Sequence, residues 1–210
     1  MGLISLLQQD PRAFIILVPV LLYSVIFHEV AHGWVASLFG DETARNSGRL
    51  SLLPQSHIDP IGTLALFFVG FGWARPVPVD YRNLGHSRWP IIAVSLAGCV
   101  TNILIATLAL FLLQFDPVTS SSLLSSVLLI AAQINLILGS FNLIPIPPLD
   151  GSRVLIEFLP YRAKYQLARL EPYGFFIIIF LLFLGILDPL IRIIQTVIIF
   201  FIGLAFSFFR

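Results

Sequence analysis

Long apolar runs constrain this chain more than any other feature. Residues 13–39, 90–114 and 123–146 are each long and apolar enough to cross a hydrocarbon core of about 30 Å at 1.5 Å per residue. Residues 173–187 and 190–209 form a closing pair around Asp188-Pro189. Lipid offers a backbone no hydrogen-bonding partner, so such runs must close their own bonds as helices. The expected fold is an all-α polytopic membrane protein with about five to six transmembrane helices. Composition agrees, because 58% of the residues are hydrophobic and only 11% are charged, against about 25% charged in an average soluble domain. With no internal repeat or second polar module, residues 1–210 read as a single membrane-embedded domain.

The segments between these runs refine the picture. The N-terminus lacks a basic n-region and a small-residue cleavage site, so the first run reads as a retained span. Residues 40–60 are polar and turn-rich, and GRLSL within them has the alternation of a short strand. The run at 61–73 is too short for an easy crossing. It is expected to be a re-entrant segment or short span, with a short membrane-associated β-hairpin after the first span, and X-Pro pairs favour extended backbone at 74–80. Residues 153–172 mix basic and apolar side chains as an interfacial helix does.

With 61–73 not crossing, ten of the twelve basic residues fall on one side and only Arg12 and Arg192 on the other. The positive-inside rule then places the N-terminus outside and the loops after the first and third spans in the cytoplasm. A formal net charge of +1 gives no large field toward nucleic acid. The single cysteine, Cys99, excludes an internal disulfide and a thiolate zinc cluster.

Against this apolar background stands HEVAHGW, residues 28–34. His28 and His32 are four apart and share a helix face, with Glu29 between them. This HExxH pattern lets two imidazoles hold one zinc ion while the glutamate serves as general base. A bland reading makes both histidines interhelical hydrogen-bonding groups. Ionisable groups within a span cost about 2.5 kcal/mol or more each, however, and persist mainly for function. A catalytic zinc site needs a third protein ligand. Asp150 is the only acidic residue between Asp116 and Glu157, and it follows a backbone opened by Pro145, Pro147 and Pro148. Taken alone, Asp150-Gly151 is equally a turn or a helix cap.

HEVAHGW, the stretch Ala97-Gly98-Cys99-Val100-Thr101-Asn102 and NLIPIPPLDG together resemble the site-2 protease family of intramembrane zinc metalloproteases, peptidase family M50, in its short bacterial branch without PDZ or CBS modules. GRLSLLPQSHIDPIGT and FGWARPVPVD extend the resemblance over about residues 13–160. It implies His28 and His32 as zinc ligands, Glu29 as the catalytic glutamate, Asp150 as third ligand and one zinc per chain. It further implies an N-out first helix in a bacterial inner or plasma membrane, and an active site toward the cytoplasm. The expected activity is hydrolysis of peptide bonds in or near the transmembrane segment of a membrane-protein substrate, in regulated intramembrane proteolysis. The chain departs from the family pattern at Cys99, where proline is usual, and at Leu53, where asparagine often precedes Pro54.

Asn102 and Asn142 are candidates for holding the substrate backbone or an oxyanion; interhelical hydrogen bonding is the competing reading. His57 is expected to be a solvated or hydrogen-bonded loop histidine, Asp59 a cap before Pro60, His86 a surface residue, and Trp34, Trp73 and Trp89 interfacial anchors. The alternative functions are a zinc-binding membrane transporter and a non-catalytic, protease-like scaffold. A transporter calls for a relay of acids or histidines, and the first three spans hold no acidic residue except Glu29. A dead scaffold would most simply have lost Glu29.

Overall fold

The computed structural model describes residues 3–70, 72–85 and 87–207; His86 and Arg210 lie outside them. Helix α1 (Leu3–Gln9) leads into α2 (Pro11–Leu38), which opens with Pro11 in its first turn and Asp10 accepting the Ala13 amide at 3.0 Å. A short α3 (Thr43–Asn46) precedes α4 (Pro60–Val69). Then follow α5 (Arg88–Leu112), a single turn α6 (Asp116–Thr119) and α7 (Ser122–Asn142). The chain closes with α8 (Asp150–Ile156), α9 (Tyr161–Leu170), α10 (Gly174–Phe183) and α11 (Leu187–Ser207).

Five stretches are long and apolar enough to cross a membrane: α2, α5, α7, Tyr161–Phe183 and α11. Their outward faces carry large exposed apolar side chains, including Phe180, Phe183, Phe200 and Phe201. Such faces suit lipid. The protein is an integral membrane protein.

Helices α2, α5 and α7 pack against one another and form the centre of the molecule. Lipid tails are as apolar as leucine, so close packing through small residues and interhelical hydrogen bonds must supply the association. Both are present. Gly139 of α7 lies beside Cys99 and Ile103 of α5, and Ala106, Leu136, Ile198 and Ile202 join α5, α7 and α11 in a buried cluster. At the other end, Ile144, Leu149, Ile178 and Leu187 tie the turn after α7 to α10 and α11.

The hairpin expected after the first span is corrected. No strand occurs among the described residues, and residues 48–52 are loop. Residues 60–69 are a helix, started by Asp59 accepting the Gly62 amide at 2.7 Å and ended by Gly70 at φ 83°. Ten residues span about 15 Å, half a hydrocarbon core, so α4 does not cross. The chain then returns beside α4, with Gly62 and Gly72 so close that a side chain on either would collide with the other arm. Residues 74–80 are extended, but Pro76 and Pro78 carry no amide hydrogen and a regular ladder cannot form. The interfacial helix expected at 153–172 is also divided. Pro160 separates α8 from α9, and α9 runs through one 3-10 turn into α10, so the fourth apolar stretch begins near Tyr161 rather than residue 173.

Candidate metal centre

Helical spacing places His28 and His32 one turn apart on α2, ring centroids 4.7 Å apart and edge to face. Asp150 comes from the first turn of α8. Gly151 permits that approach, since a side chain there would strike the carbonyl of Leu143 at the end of α7. The Nε2 atoms of the two histidines are 3.1 Å apart, and Asp150 Oδ2 lies 3.1 Å from the first and 3.2 Å from the second. All three side chains are largely buried.

Hydrogen bonding on the far side of each ring decides what these atoms present. His32 Nδ1 lies 2.7 Å from the carbonyl oxygen of Val94, an acceptor only, so Nδ1 carries the proton. Asn102 donates through Nδ2 to the carbonyl of Ser24 at 3.2 Å and to Asn135 Oδ1 at 2.7 Å, which turns its own oxygen toward His28 Nδ1 at 2.6 Å. His28 must donate there as well. With both Nδ1 protonated, the neutral rings aim their Nε2 lone pairs at each other and at a carboxylate oxygen. Three acceptors with no proton between them repel; a cation reverses the sign.

The spacing fits zinc. Two ligand atoms about 2.0 Å from a tetrahedral zinc ion lie about 3.3 Å apart, close to the triangle found. Outer partners that orient the ligating imidazoles, as Asn102 and Val94 do, are the usual support for such a centre. Gly98 belongs to the same design. A Cβ there would lie 2.5 Å from His28 Cε1, so α5 presents bare backbone where the ring must fit.

Glu29, half-buried beside the ligand set, accepts the Val77 amide through Oε2 at 2.9 Å. Asn102 is fully buried with both ends of its amide bonded to protein, and orients His28 instead of facing a substrate. Asn142 is half-buried and donates to Leu138 in its own helix at 3.0 Å, one turn before the end of α7. His57 is buried, lies within hydrogen-bond distance of the Ser51 carbonyl through Nε2 at 2.7 Å, and is not in the ligand group. The Cys99 thiol donates to Asp150 Oδ2 at 3.7 Å, so the residue at the departure from the family pattern touches the candidate ligand directly.

Sequence reasoning missed Asn135, whose Nδ2 donates to Ser24 Oγ at 2.8 Å and to Ala131 at 2.8 Å. An asparagine in the middle of an apolar span was the available signal. It also missed Arg49 and Val77, for which a loop arginine and an inter-proline amide give no signal.

Comparison with known proteins agrees with this chemistry. The model of peptidase family M50 matches residues 113–185, which include Asp150. YwhC of Bacillus subtilis, named as a zinc metalloprotease, is 40% identical over 178 residues, covering 80% of this chain and 81% of its own. Rip2 of Mycolicibacterium smegmatis, also so named, is 30% identical over 176 residues, 80% of this chain and 67% of its own. Zinc metalloprotease MJ0392 of Methanocaldococcus jannaschii is 28% identical over 145 residues, 69% of this chain and 34% of its own. No solved structure matches the chain. A zinc-shaped triangle of ligand atoms beside a glutamate, inside a bundle of apolar helices, together with relatives matched over four-fifths of their length, leads to one assignment: this chain belongs to peptidase family M50, the site-2 protease family of zinc metalloproteases.

Proposed function

We propose that this metalloprotease is an intramembrane endopeptidase that cuts the transmembrane segment of a single-span membrane protein, with His28, His32 and Asp150 as zinc ligands and Glu29 as general base. One observation carries the reading: the ligand triangle sits inside the α2, α5 and α7 bundle, not on a polar domain outside it. His28 is about 25 Å from the start of α2 and about 15 Å from its end, which puts the chemistry within the span and nearer the side of the basic loops. By the positive-inside rule that side is the cytoplasm and the N-terminus is outside, as in a bacterial inner or plasma membrane.

Zinc bound at the triangle supplies a Lewis acid that polarises a scissile carbonyl and raises the acidity of water. The chain's own residues do the rest. Asn102 and the Val94 carbonyl hold both imidazoles in the tautomer that ligates. Glu29 takes a proton from the attacking water and returns it to the leaving amine, and Val77 fixes one of its oxygens so that the other faces the reaction. Asn142 keeps one amide proton for a substrate carbonyl near the end of α7. Water reaches the site from the polar segments at 44–60 and 74–82. A substrate helix must unwind first, because its carbonyls are engaged in i to i−4 bonds. Among the three central helices Glu29 is the sole acidic residue, which leaves a transporter's proton relay without members.

The test is the position of the cut. Purified protein reconstituted in liposomes with single-span peptides should release fragments whose new termini, read by mass spectrometry, lie within the apolar run. Cuts confined to flanking loops would overturn the intramembrane reading.

A further inference from the structure

The extended segment after α4 is fastened to the molecule at four places. Arg75 donates its amide to the His57 carbonyl at 2.7 Å, and Asp80 donates its amide to Asp41 Oδ2 at 2.8 Å. Between these anchors, Arg49 Nη2 donates to the carbonyls of Arg75 at 2.8 Å and Pro76 at 3.1 Å. The next residue, Val77, gives its amide to Glu29 Oε2 at 2.9 Å. Pro76 and Pro78 have no amide hydrogen, so Val77 carries the one backbone donor available from 76 to 78.

The same point is set by packing. Val77 is buried, and Gly33, one turn after Glu29 on α2, leaves the flat surface on which it rests. A Cβ at Gly33 would lie 2.7 Å from Val77 Cγ1. A glutamate on a helix surface otherwise rotates about three side-chain bonds. One amide held by a rigid, proline-flanked strap removes that freedom.

We propose that Arg49 is a positioning residue for the catalytic carboxylate: it grips the two carbonyls that precede Val77 and so delivers the Val77 amide to Glu29. This rests on Glu29 being the general base. Arg49 touches neither the ligand triangle nor Glu29 through any hydrogen bond and acts through the backbone alone. Without it the Arg75 and Pro76 carbonyls lose their donor, the strap shifts, and Glu29 swings out of alignment while zinc binding is untouched.

The experiment compares the wild type, Arg49→Ala, Arg49→Lys, Val77→Pro, the double variant Arg49→Ala with Val77→Pro, and Glu29→Gln. Each is measured for kcat, KM, zinc content and melting temperature on one transmembrane peptide in detergent. Arg49→Ala and Val77→Pro should each lower kcat by about 10- to 100-fold, the size expected when a catalytic group is misplaced by about 1 Å. KM should stay within about two-fold and zinc at the wild-type level, since ground-state binding is not altered. Because both act through one hydrogen bond, the double variant should be no slower than Val77→Pro alone. Arg49→Lys, which keeps a donor on a long stem, should recover part of the rate. Should Arg49→Ala fail to fold, Arg49→Lys and Val77→Pro carry the same comparison.

Losses that multiply in the double variant, an unchanged kcat, or a rate that falls only in step with zinc or folded fraction would overturn the proposal. Full activity in the Arg49 variants with an inactive Glu29→Gln sinks only the role of Arg49. An active Glu29→Gln sinks the assignment of the base itself.

Discussion

His28 and Asn102 are joined across α2 and α5 by a 2.6 Å contact between Nδ1 and Oδ1, although 74 residues separate them in sequence. The Asn102 amide is locked in turn by Ser24 and Asn135, so a chain of three buried polar side chains fixes which nitrogen of His28 faces the ligand triangle. The tautomer of a zinc ligand is thus set from the middle of two neighbouring spans.

Asn102→Leu should break this relation while keeping side-chain volume. Zinc affinity is expected to fall by about 10- to 100-fold, the usual cost of losing such an outer partner. Competition with a metal-binding dye measures it, and unchanged affinity would mean that Asn102 only packs helices.

Gly98→Ala puts a methyl group into the space of the His28 ring. Overpacking of this kind costs about 1–3 kcal/mol, and here the strain falls on a candidate ligand. Zinc per folded chain should drop along with the melting temperature. A variant with a lower melting temperature and full zinc would show that α5 yields and the ring does not.

Much of this was legible before any coordinates. The apolar runs give α2, α5, α7 and α11 to within a few residues because span length is dictated by the bilayer. The i, i+4 histidines and Asp150 were readable because few residue types bind zinc and fewer are tolerated in lipid. The expected β-hairpin failed for a local reason: alternation at GRLSL and extended backbone at 74–80 say nothing about a partner, and two prolines remove the donors a ladder needs. The division of 153–172 turned on Pro160 alone. Asn102 was noticed and its partner was not, because sequence gives no register between spans. The grip of Arg49 on the 75–77 backbone was invisible for the same reason.

Asp41 makes a pH prediction outside the spans. Burial works against its charge, but Thr43 and Asn83 side chains and the Asp80 and Thr43 amides outweigh it and hold the carboxyl below its ordinary value of 3.8. A lowered folded-state pKa stabilises the protein in full above the unfolded value. That stability is lost as pH falls from about 4 through the lowered pKa. Asp41→Asn should therefore melt below the wild type at pH 6, and the gap should narrow below about pH 4. A gap independent of pH would assign the loss to packing.

Orientation is open to chemical labelling because Cys99 is the single cysteine and is buried. In a Cys99→Ala background, a cysteine at Asn46 should react with a membrane-impermeant maleimide only when the cytoplasmic face is exposed, and one at Thr119 only from outside. The reverse pattern would invert the topology.

The central claim is that a buried zinc held by His28, His32 and Asp150 works with Glu29 to hydrolyse peptide bonds. Zinc content and cleavage of transmembrane peptides, measured together on detergent-purified wild type, Glu29→Gln and Asp150→Ala, test it most directly. The account predicts one zinc per chain with cleavage in the wild type, zinc without cleavage in Glu29→Gln, and loss of both in Asp150→Ala. Folded wild type without zinc, or Glu29→Gln that cleaves normally, would contradict it.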